Sequence, residues 1–495
     1  MISKTVWKQI LRSPSGIPLA NPFLIMTNDT IAAIATPAGS GGIAVIRISG
    51  PRAFEIADSI WRGRPLAQAT SHTAHFGEIT DARGETLDEA LATVFHHGRS
   101  FTGEATVELS IHGSKWLQNE VLARIIEAGA RMAEPGEFSQ RAVINGRIDL
   151  AQAEGIADMI AASSRAAHRL ATTQMKGVFS RRLDTLRLQM IELASLLELE
   201  LDFSEEDVEF ADRSHLISLC TSARTEIDRL ASSFRTGQAL KDGVPIAIAG
   251  APNAGKSTLL NYLLQEEKAI VTDIPGTTRD IIEDTTEIDG ILYRFIDTAG
   301  LRDTSDQVER IGIDRAIQRC GNARIILYLL DPTSPLSSQT DRMRELTSGL
   351  PAETSLIPVI TKADLNDSPE TAELPTETAD KPTTVPDILT AMPPLRISAR
   401  TGKGIDILIN IIRKSVTAHH DPASELIVTN IRHYHELRAT SEALLRTSEA
   451  LTAGLPPDLI AQDLREAIHH LSLITGAITS DTLLHTIFSR FCIGK

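Results

Sequence analysis

Cysteine is scarce in this sequence: Cys220, Cys320 and Cys492 are the only three among 495 residues, odd in number and widely spaced. Such a set implies no disulfide framework, and a reducing cytoplasm suits it best. Long apolar runs are lacking too. The longest candidates are strand-length segments such as Arg324 to Leu330, short of the roughly 18 apolar residues a membrane span requires. Positive charge is outnumbered, 49 Lys and Arg against 64 Asp and Glu, for a formal charge of -15. That balance excludes broad, non-specific attraction to nucleic acid or anionic membrane, which needs a basic surface, while leaving room for a local basic patch. With 42% hydrophobic and 23% charged residues, the profile is that of an ordinary soluble globular chain, long enough for roughly three or four domains.

Residues 1–28 contain Lys4, Lys8 and Arg12 but no acid. A targeting peptide has this look, but the plainer reading is a disordered extension or an upstream start, because patterned chain begins only at Asp29. From 29 to 149, apolar runs, Gly/Pro turns and short helical stretches alternate as in an α+β domain. Residues 150–242 are poor in Gly and Pro, and Leu183, Leu186, Met190, Leu193 and Leu197 fall at spacings of three and four, the seam of one long helix. The acidic run Glu198 to Asp212 reads as a solvated loop rather than a metal or hinge site. From 243 to 417, strands and helices alternate as in a mostly parallel α/β sheet. Within that span Asn366 to Pro394 holds six prolines and reads as an extended surface loop. Helical texture returns over 418–495. The whole is a multidomain α/β chain, with a domain of alternating strands and helices inserted into a helical domain built from two segments.

The stretch "VPIAIAGAPNAGKSTLLNYLL" is a buried-type strand, then Gly250-x-x-x-x-Gly255-Lys256-Ser257, then an amphipathic helix. Its glycines let backbone N–H groups curl around phosphate oxygens, Lys256 neutralises the β and γ phosphates, Ser257 offers a hydroxyl to Mg²⁺, and the helix start adds partial positive charge. "TDIPGTTRD" supplies Thr277 and Thr278, one of which would close on Mg²⁺; Asp297 can reach that ion through water, and the Gly300 N–H can contact the γ phosphate. Thr361-Lys362-Ala363-Asp364 and Ser398-Ala399-Arg400 look like guanine-specificity motifs. Asp364 can accept two hydrogen bonds from guanine's ring N–H and exocyclic amine, which adenine cannot supply. The first residue of that motif is usually asparagine, which braces the phosphate loop. Thr361 is therefore expected to hold the nucleotide more loosely.

After Asp297-Thr298-Ala299-Gly300 comes Leu301, where small regulatory GTPases carry a glutamine that orients the attacking water. A leucine has no group able to hold water. Glu309 is one candidate to act instead, through a second water; the other reading makes it a helix-start carboxylate favoured by the dipole.

The order of these motifs, with Asn253 in the phosphate loop, "DTAGLRDTSDQVERIG" and the final "FCIGK", resembles the MnmE (TrmE) family of tRNA-modification GTPases from about Asp29 to Lys495. The resemblance implies a GTP site over Asn253, Ala254, Gly255, Lys256, Ser257 and Thr258. It continues through Thr272, Asp273, Ile274, Pro275, Gly276, Thr277 and Thr278, then Asp297, Thr298, Ala299 and Gly300, and ends in Thr361, Lys362, Ala363, Asp364, Ser398, Ala399 and Arg400. It further implies a K⁺ ion on Asn253, Thr277 and the backbone oxygens of Thr272 and Ile274, Mg²⁺ on Ser257 and Thr278, and Glu309 as the residue that orients water. A cation beside the phosphates would offset charge developing in a loose phosphoryl transfer.

The tail "FCIGK" places Cys492 fourth from the end, but Gly494 and Lys495 do not suit a prenylation box. A reactive thiol favoured by Arg490 and Lys495, or a buried structural cysteine, are the other readings. The resemblance makes Cys492 catalytic. It also places the tail at a pocket of the N-terminal domain for a tetrahydrofolate derivative, 5-formyl or 5,10-methylene, on Arg47 in "VIRISG", Glu108 in "VELSIHG", Arg147 in "NGRIDL" and Lys495. At Arg147 the family more often has lysine. That domain would also form a homodimer. The implied activity, with an FAD-dependent partner of the MnmG type, is installation of an aminomethyl or carboxymethylaminomethyl group at carbon 5 of the wobble uridine of certain tRNAs. A GTP-dependent assembly switch in ribosome maturation is the rival reading; it leaves the N-terminal domain and the tail without a purpose.

Overall fold

The structure is a computed structural model and describes residues 29–202, 213–265, 283–296, 323–347, 354–365, 394–417, 426–478, 481–489, 491 and 494. In chain order the N-terminal part forms β1 (Ile31–Ile34), β2 (Ile43–Ser49), α1 (Ala53–Ile60), β3 (Trp61–Arg62), β4 (Thr73–Thr80), β5 (Thr86–Phe95), β6 (Thr106–His112), α2 (Lys115–Glu127), β7 (Arg131–Met132), α3 (Glu137–Ile144) and α4 (Leu150–Ala161). Helices α5 (Arg165–Met175), α6 (Val178–Asp202), α7 (Arg213–Ser232) and α8 (Phe234–Asp242) follow. Next come β8 (Val244–Gly250), α9 (Lys256–Gln265), β9 (Glu283–Ile288), β10 (Ile291–Ile296), β11 (Ile325–Leu330), α10 (Leu336–Thr347), β12 (Ser355–Ile360), β13 (Leu395–Arg396) and α11 (Ile405–Thr417). The last described helices are α12 (Ile431–Thr452), α13 (Pro457–Thr475) and α14 (Asp481–Phe488).

Two compact units emerge, one of residues 1–157 with 475–495 and the other of residues 158–474. In the first, seven strands run in the order β3-β4-β5-β6-β2-β1-β7, antiparallel except where β7 joins β1. Strand β2 shows how its sequence sets the layers. Ala44, Ile46 and Ile48 are buried with Ile56, Ile60, Val121 and Ile125 of α1 and α2, so by the period of two Val45 and Arg47 face the other side of the sheet. Helix α14 belongs to this unit, since Leu484 and Phe488 cluster with Leu150 and Ala153.

A buried ion network ties the unit's first strand to α3. Arg141, only 3% exposed, donates to the Asp29 carboxylate at 2.7 Å, to Glu104 at 3.1 Å and to Glu137 at 3.0 Å. Arg131 donates to the same Glu137 at 2.6 Å.

In the second unit, the predicted seam of α6 is buried at Leu183, Leu186, Met190, Leu193 and Leu197. Helices α7 and α12 pack along each other, with the Ser441 hydroxyl donating to the Asp228 carboxylate at 2.6 Å across them, so the helical domain is built from two separated segments. Gly237 lets the returning chain pass close to α8, for a Cβ there would lie 2.0 Å from the Val428 carbonyl oxygen. Between the segments stands a six-stranded sheet of order β13-β12-β11-β8-β10-β9, parallel except for the β9–β10 hairpin. Its central strand β8 is apolar on both faces: Ile246 and Ile248 pack with Leu259 and Leu408, whereas Ala247 and Ala249 pack with Tyr328 and Met343. This is why β8 reads as a continuous apolar run.

Candidate functional site

The phosphate loop leaves the carboxyl end of β8 and enters α9. At the exit Gly250 has φ +145°, and a Cβ there would meet the Leu329 carbonyl oxygen at 2.5 Å; only glycine lets β8 end this close to β11. Asn253 adopts the left-handed conformation at φ 62° within the loop. The Lys256 ammonium donates to the Gly250 and Ala251 carbonyl oxygens, each at 2.9 Å. It arches over its own loop beside the start of α9, where the first N–H groups of a helix lack intrahelical acceptors and carry partial positive charge.

The predicted base-recognition residues come together at the ends of β12 and β13, neighbours in the sheet with Ile360 opposite Arg396. The Asp364 carboxylate accepts a hydrogen bond from the Ser398 hydroxyl at 2.7 Å. That bond, followed by Asp364's own N–H, holds its carboxyl below the usual aspartate value. The Ala363 N–H donates to the Ile397 carbonyl at 3.0 Å, fixing one motif against the other. Thr361, 4% exposed, donates its hydroxyl to the Ala254 carbonyl at 2.8 Å. The looser hold expected of a threonine thus meets a direct tie to the phosphate loop.

One residue of this wall, Asp331, escaped the sequence reading. Lys362 sits at φ 57°, a conformation uncommon for a residue with a side chain, and its ammonium donates to the Asp331 carboxylate at 2.6 Å. Asp331 is 5% exposed and also accepts from the Thr333 N–H and hydroxyl at 3.0 and 2.7 Å. Burial alone would raise its carboxyl; Lys362 and Thr333 together hold it below the ordinary value. The available signal was an aspartate directly after the apolar strand "IILYLL".

In the N-terminal unit, Arg47 lies opposite Glu108 in the β2–β6 register and donates to it at 2.8 Å. The guanidinium carbon stands 5.9 Å from the centre of the Phe101 ring and 5.4 Å from that of Phe138. The stem of Arg147 packs at Gly103, where a Cβ would lie 3.1 Å from its Cγ, so one turn, residues 101–103, touches both predicted arginines. Gly494 is buried against the end of β1, its φ +92° and a virtual Cβ 2.4 Å from the Ile34 carbonyl oxygen leaving no room for a side chain. Its own carbonyl accepts from Arg47 at 3.4 Å. Phe101 and Phe138 were not singled out in the sequence; no periodicity marks them as neighbours of Arg47.

Thr272, Asp273, Ile274, Pro275, Gly276, Thr277, Thr278, Asp297, Thr298, Ala299, Gly300, Glu309, Cys492 and Lys495 lie outside the described residues. Among the cysteines, Cys220 is buried, and burial pushes its thiol up to about 11. No described helix is long and apolar enough to cross a membrane.

The chain matches the family model of the TrmE N-terminus over residues 30–147 and that of the MnmE helical domain over residues 150–492. It is 46% identical over 471 residues to the tRNA modification GTPase MnmE of Parabacteroides distasonis, covering 94% of this chain and 100% of that protein. The protein of the same name from Cytophaga hutchinsonii is 45% identical, covering 94% and 98%. Among solved structures, the G domain of the T. maritima FeoB iron transporter matches 36% of this chain and 99% of its own at 23% identity, with a TM-score of 0.23. With relatives alike over 94% of the chain and two models of the same family covering residues 30–147 and 150–492, the chain belongs to the MnmE (TrmE) family of tRNA modification GTPases.

Proposed function

We propose that this chain is a cytoplasmic, homodimeric, K⁺-dependent GTPase. With an FAD-dependent partner of the MnmG type, it would install an aminomethyl or carboxymethylaminomethyl group at carbon 5 of the wobble uridine of certain tRNAs, using a tetrahydrofolate one-carbon unit. The observation that carries this reading is likeness to MnmE proteins over 94% of the chain, which includes both the base-recognition wall and the Arg47–Glu108 pair. The domains are taken as 29–149 for folate and dimerisation, 150–242 and 418–495 for the helical domain, and 243–417 for the GTPase.

GTP would lie with its phosphates at the start of α9, where Lys256 supplies charge, and its base against Asp364. The Ser398 hydroxyl occupies one acceptor direction of that carboxylate and leaves the others for guanine's two donors. Asn253 and Ser257 carry hard oxygen donors at the bend and at the helix start of the same loop, the donor chemistry K⁺ and Mg²⁺ require. With Thr272, Ile274, Thr277 and Thr278 they would hold the two cations, which supply positive charge beside the phosphates when bound. Leu301 cannot orient water; that task falls to Glu309.

On the N-terminal unit, a guanidinium and a carboxylate side by side suit a ligand with a pterin edge and an acidic tail. Arg47, Glu108, Arg147 and Lys495 would bind the folate, with Cys492 brought near by the docked tail. FAD and NADH belong to the partner. The test is nucleoside analysis of tRNA from a strain lacking this chain, together with GTP turnover in K⁺ and in Na⁺. Loss of the carbon-5 modification and a strong rise in turnover on replacing Na⁺ by K⁺ are expected. Unchanged wobble uridines overturn the modification reading, and equal rates in the two salts remove the potassium.

A further inference from the structure

We propose that the exposed basic face of α5, continued into the first turn of α6, is a docking surface for the phosphate backbone of tRNA. This deepens the tRNA-modification reading and rests on it. Between Asp158 and Asp184 the chain has no acid but contains Arg165, Arg169, Lys176, Arg181 and Arg182. In a protein of formal charge -15, such a stretch concentrates positive charge where the rest of the surface has an excess of the opposite sign.

The fold places this charge on one side. Arg165, His168, Arg169 and Lys176 are exposed and recur at helical spacings of three, four and seven to eight residues, while Ala167, Ala171 and Gln174 are buried on the opposite face. The Ser164 hydroxyl caps the helix by accepting from the Ala167 N–H at 3.2 Å, so the stripe is held on a defined element. From Arg165 to Lys176 it runs about 16 Å at ~1.5 Å per residue, long enough to meet several phosphates of a nucleic-acid strand.

Neighbouring acids leave the stripe largely un-neutralised. Asp158 pairs with Lys241, Asp184 with Arg187 and Glu226 with Arg182. Glu287 accepts from the Arg165 backbone N–H at 3.3 Å, at the first residue of the helix. Arg169 and Lys176 make no ion pair among the described residues. Arg181 reaches back to donate to the Lys176 carbonyl at 3.0 Å, which keeps its guanidinium beside the end of the stripe. Guanidinium and ammonium groups on a firm helix are what a phosphate backbone recognises, without reading sequence.

The test is anisotropy titration of a labelled, unmodified tRNA transcript with the full chain at a series of salt concentrations. The double variant Arg169→Glu with Lys176→Glu should bind at least tenfold more weakly, and its plot of log affinity against log salt should be shallower by about two. Arg169→Lys, which keeps the charge, should stay within about twofold of the parent. GTP turnover without tRNA should be unchanged in both variants, which verifies that they fold. Unchanged tRNA affinity and salt slope in the double variant overturn the proposal, as does a parent chain that fails to bind tRNA at low salt. Intact tRNA binding with lost binding of the flavoprotein partner also overturns it and makes the face a dock for an acidic protein. None of these results bears on the nucleoside analysis of the deletion strain, so the surface can fail while the modification reading stands.

Discussion

The Thr361 hydroxyl lies 2.8 Å from the Ala254 carbonyl oxygen, so the end of β12 is tied directly to the phosphate loop. Both groups are buried, and a buried acceptor that loses its donor costs about 1–3 kcal/mol. Thr361→Val keeps the shape and removes the hydroxyl. Nucleotide affinity in a fluorescent-GDP titration should fall about tenfold, with the change shared between looser loop and weaker base contact. Thr361→Ser should hold near the parent value. Parental affinity in the valine variant would show that the loop stands without its brace.

Asp364→Asn replaces one acceptor oxygen by a donor while Ser398 still addresses the other. Guanine nucleotides should then bind at least tenfold more weakly and xanthine nucleotides more tightly than in the parent, because xanthine offers a carbonyl where guanine has an amine. Competition titration with the two diphosphates reads the exchange. An unaltered preference for guanine would remove Asp364 from the base.

Much of this architecture was legible because it is local. The glycine-rich loop between an apolar strand and a helix, the α6 seam at spacings of three and four, and the alternation of β2 each fall within a short window of sequence. What escaped depends on register between distant segments. Asp331 meets Lys362 because β11 and β12 run parallel with Leu330 beside Ile360, and nothing within either strand announces that pairing. The family resemblance named Arg47 together with Glu108 and the tail, but that Arg47 pairs directly with Glu108 follows only from the β2–β6 register, and its contact with Gly494 spans nearly the whole chain. The expectation of a looser hold at Thr361 comes from the usual asparagine, and the 2.8 Å contact of its hydroxyl with Ala254 becomes visible only with β12 ending beside the phosphate loop.

The Arg141 network predicts how the N-terminal unit responds to acid. Burial would raise the Glu137 carboxyl, but Arg131, the Glu134 N–H and Arg141 together hold it below its ordinary value, and Asp29 is lowered by Arg131 and Arg141 against burial in the same way. The folded unit therefore keeps these charges to lower pH than the unfolded chain does. Their stabilisation is full above the ordinary carboxylate value of about 4 and is lost as pH falls below it. Glu137→Gln should flatten that acid limb. Arg141→Ala, which leaves Glu104 without a guanidinium partner and Asp29 and Glu137 with Arg131 alone, should cost about 3 kcal/mol at pH 7. Tryptophan fluorescence during urea unfolding is a suitable readout, since Trp61 and Trp116 both lie in this unit. An acid limb of parental steepness in Glu137→Gln would show that other carboxylates set it.

The Lys362–Asp331 pair yields the last prediction. Lys362 begins with a backbone conformation that costs energy for a residue with a Cβ, and its ammonium is fixed on a carboxylate that Thr333 holds from the other side. Asp331 thus orients the lysine whose stem borders the proposed base site, without being placed to touch the base itself. In Asp331→Asn the side chain has one oxygen and one NH₂ for three donors: the Lys362 ammonium, the Thr333 N–H and the Thr333 hydroxyl. Whichever way the amide turns, a donor faces a donor. Hydrogen bonds to charged groups contribute about 1.5–3 kcal/mol, so GDP and GTP affinity should each drop by about tenfold or more. Maximal turnover at saturating GTP should change little, because the ammonium is held at the proposed base site rather than at the reacting phosphate. Carboxyl protonation does not enter between pH 6 and 8, since Asp331 is held below its ordinary value, and the affinity ratio of parent to variant should be flat across that range. Lowered turnover with unchanged affinity would instead place the pair in support of the catalytic loops.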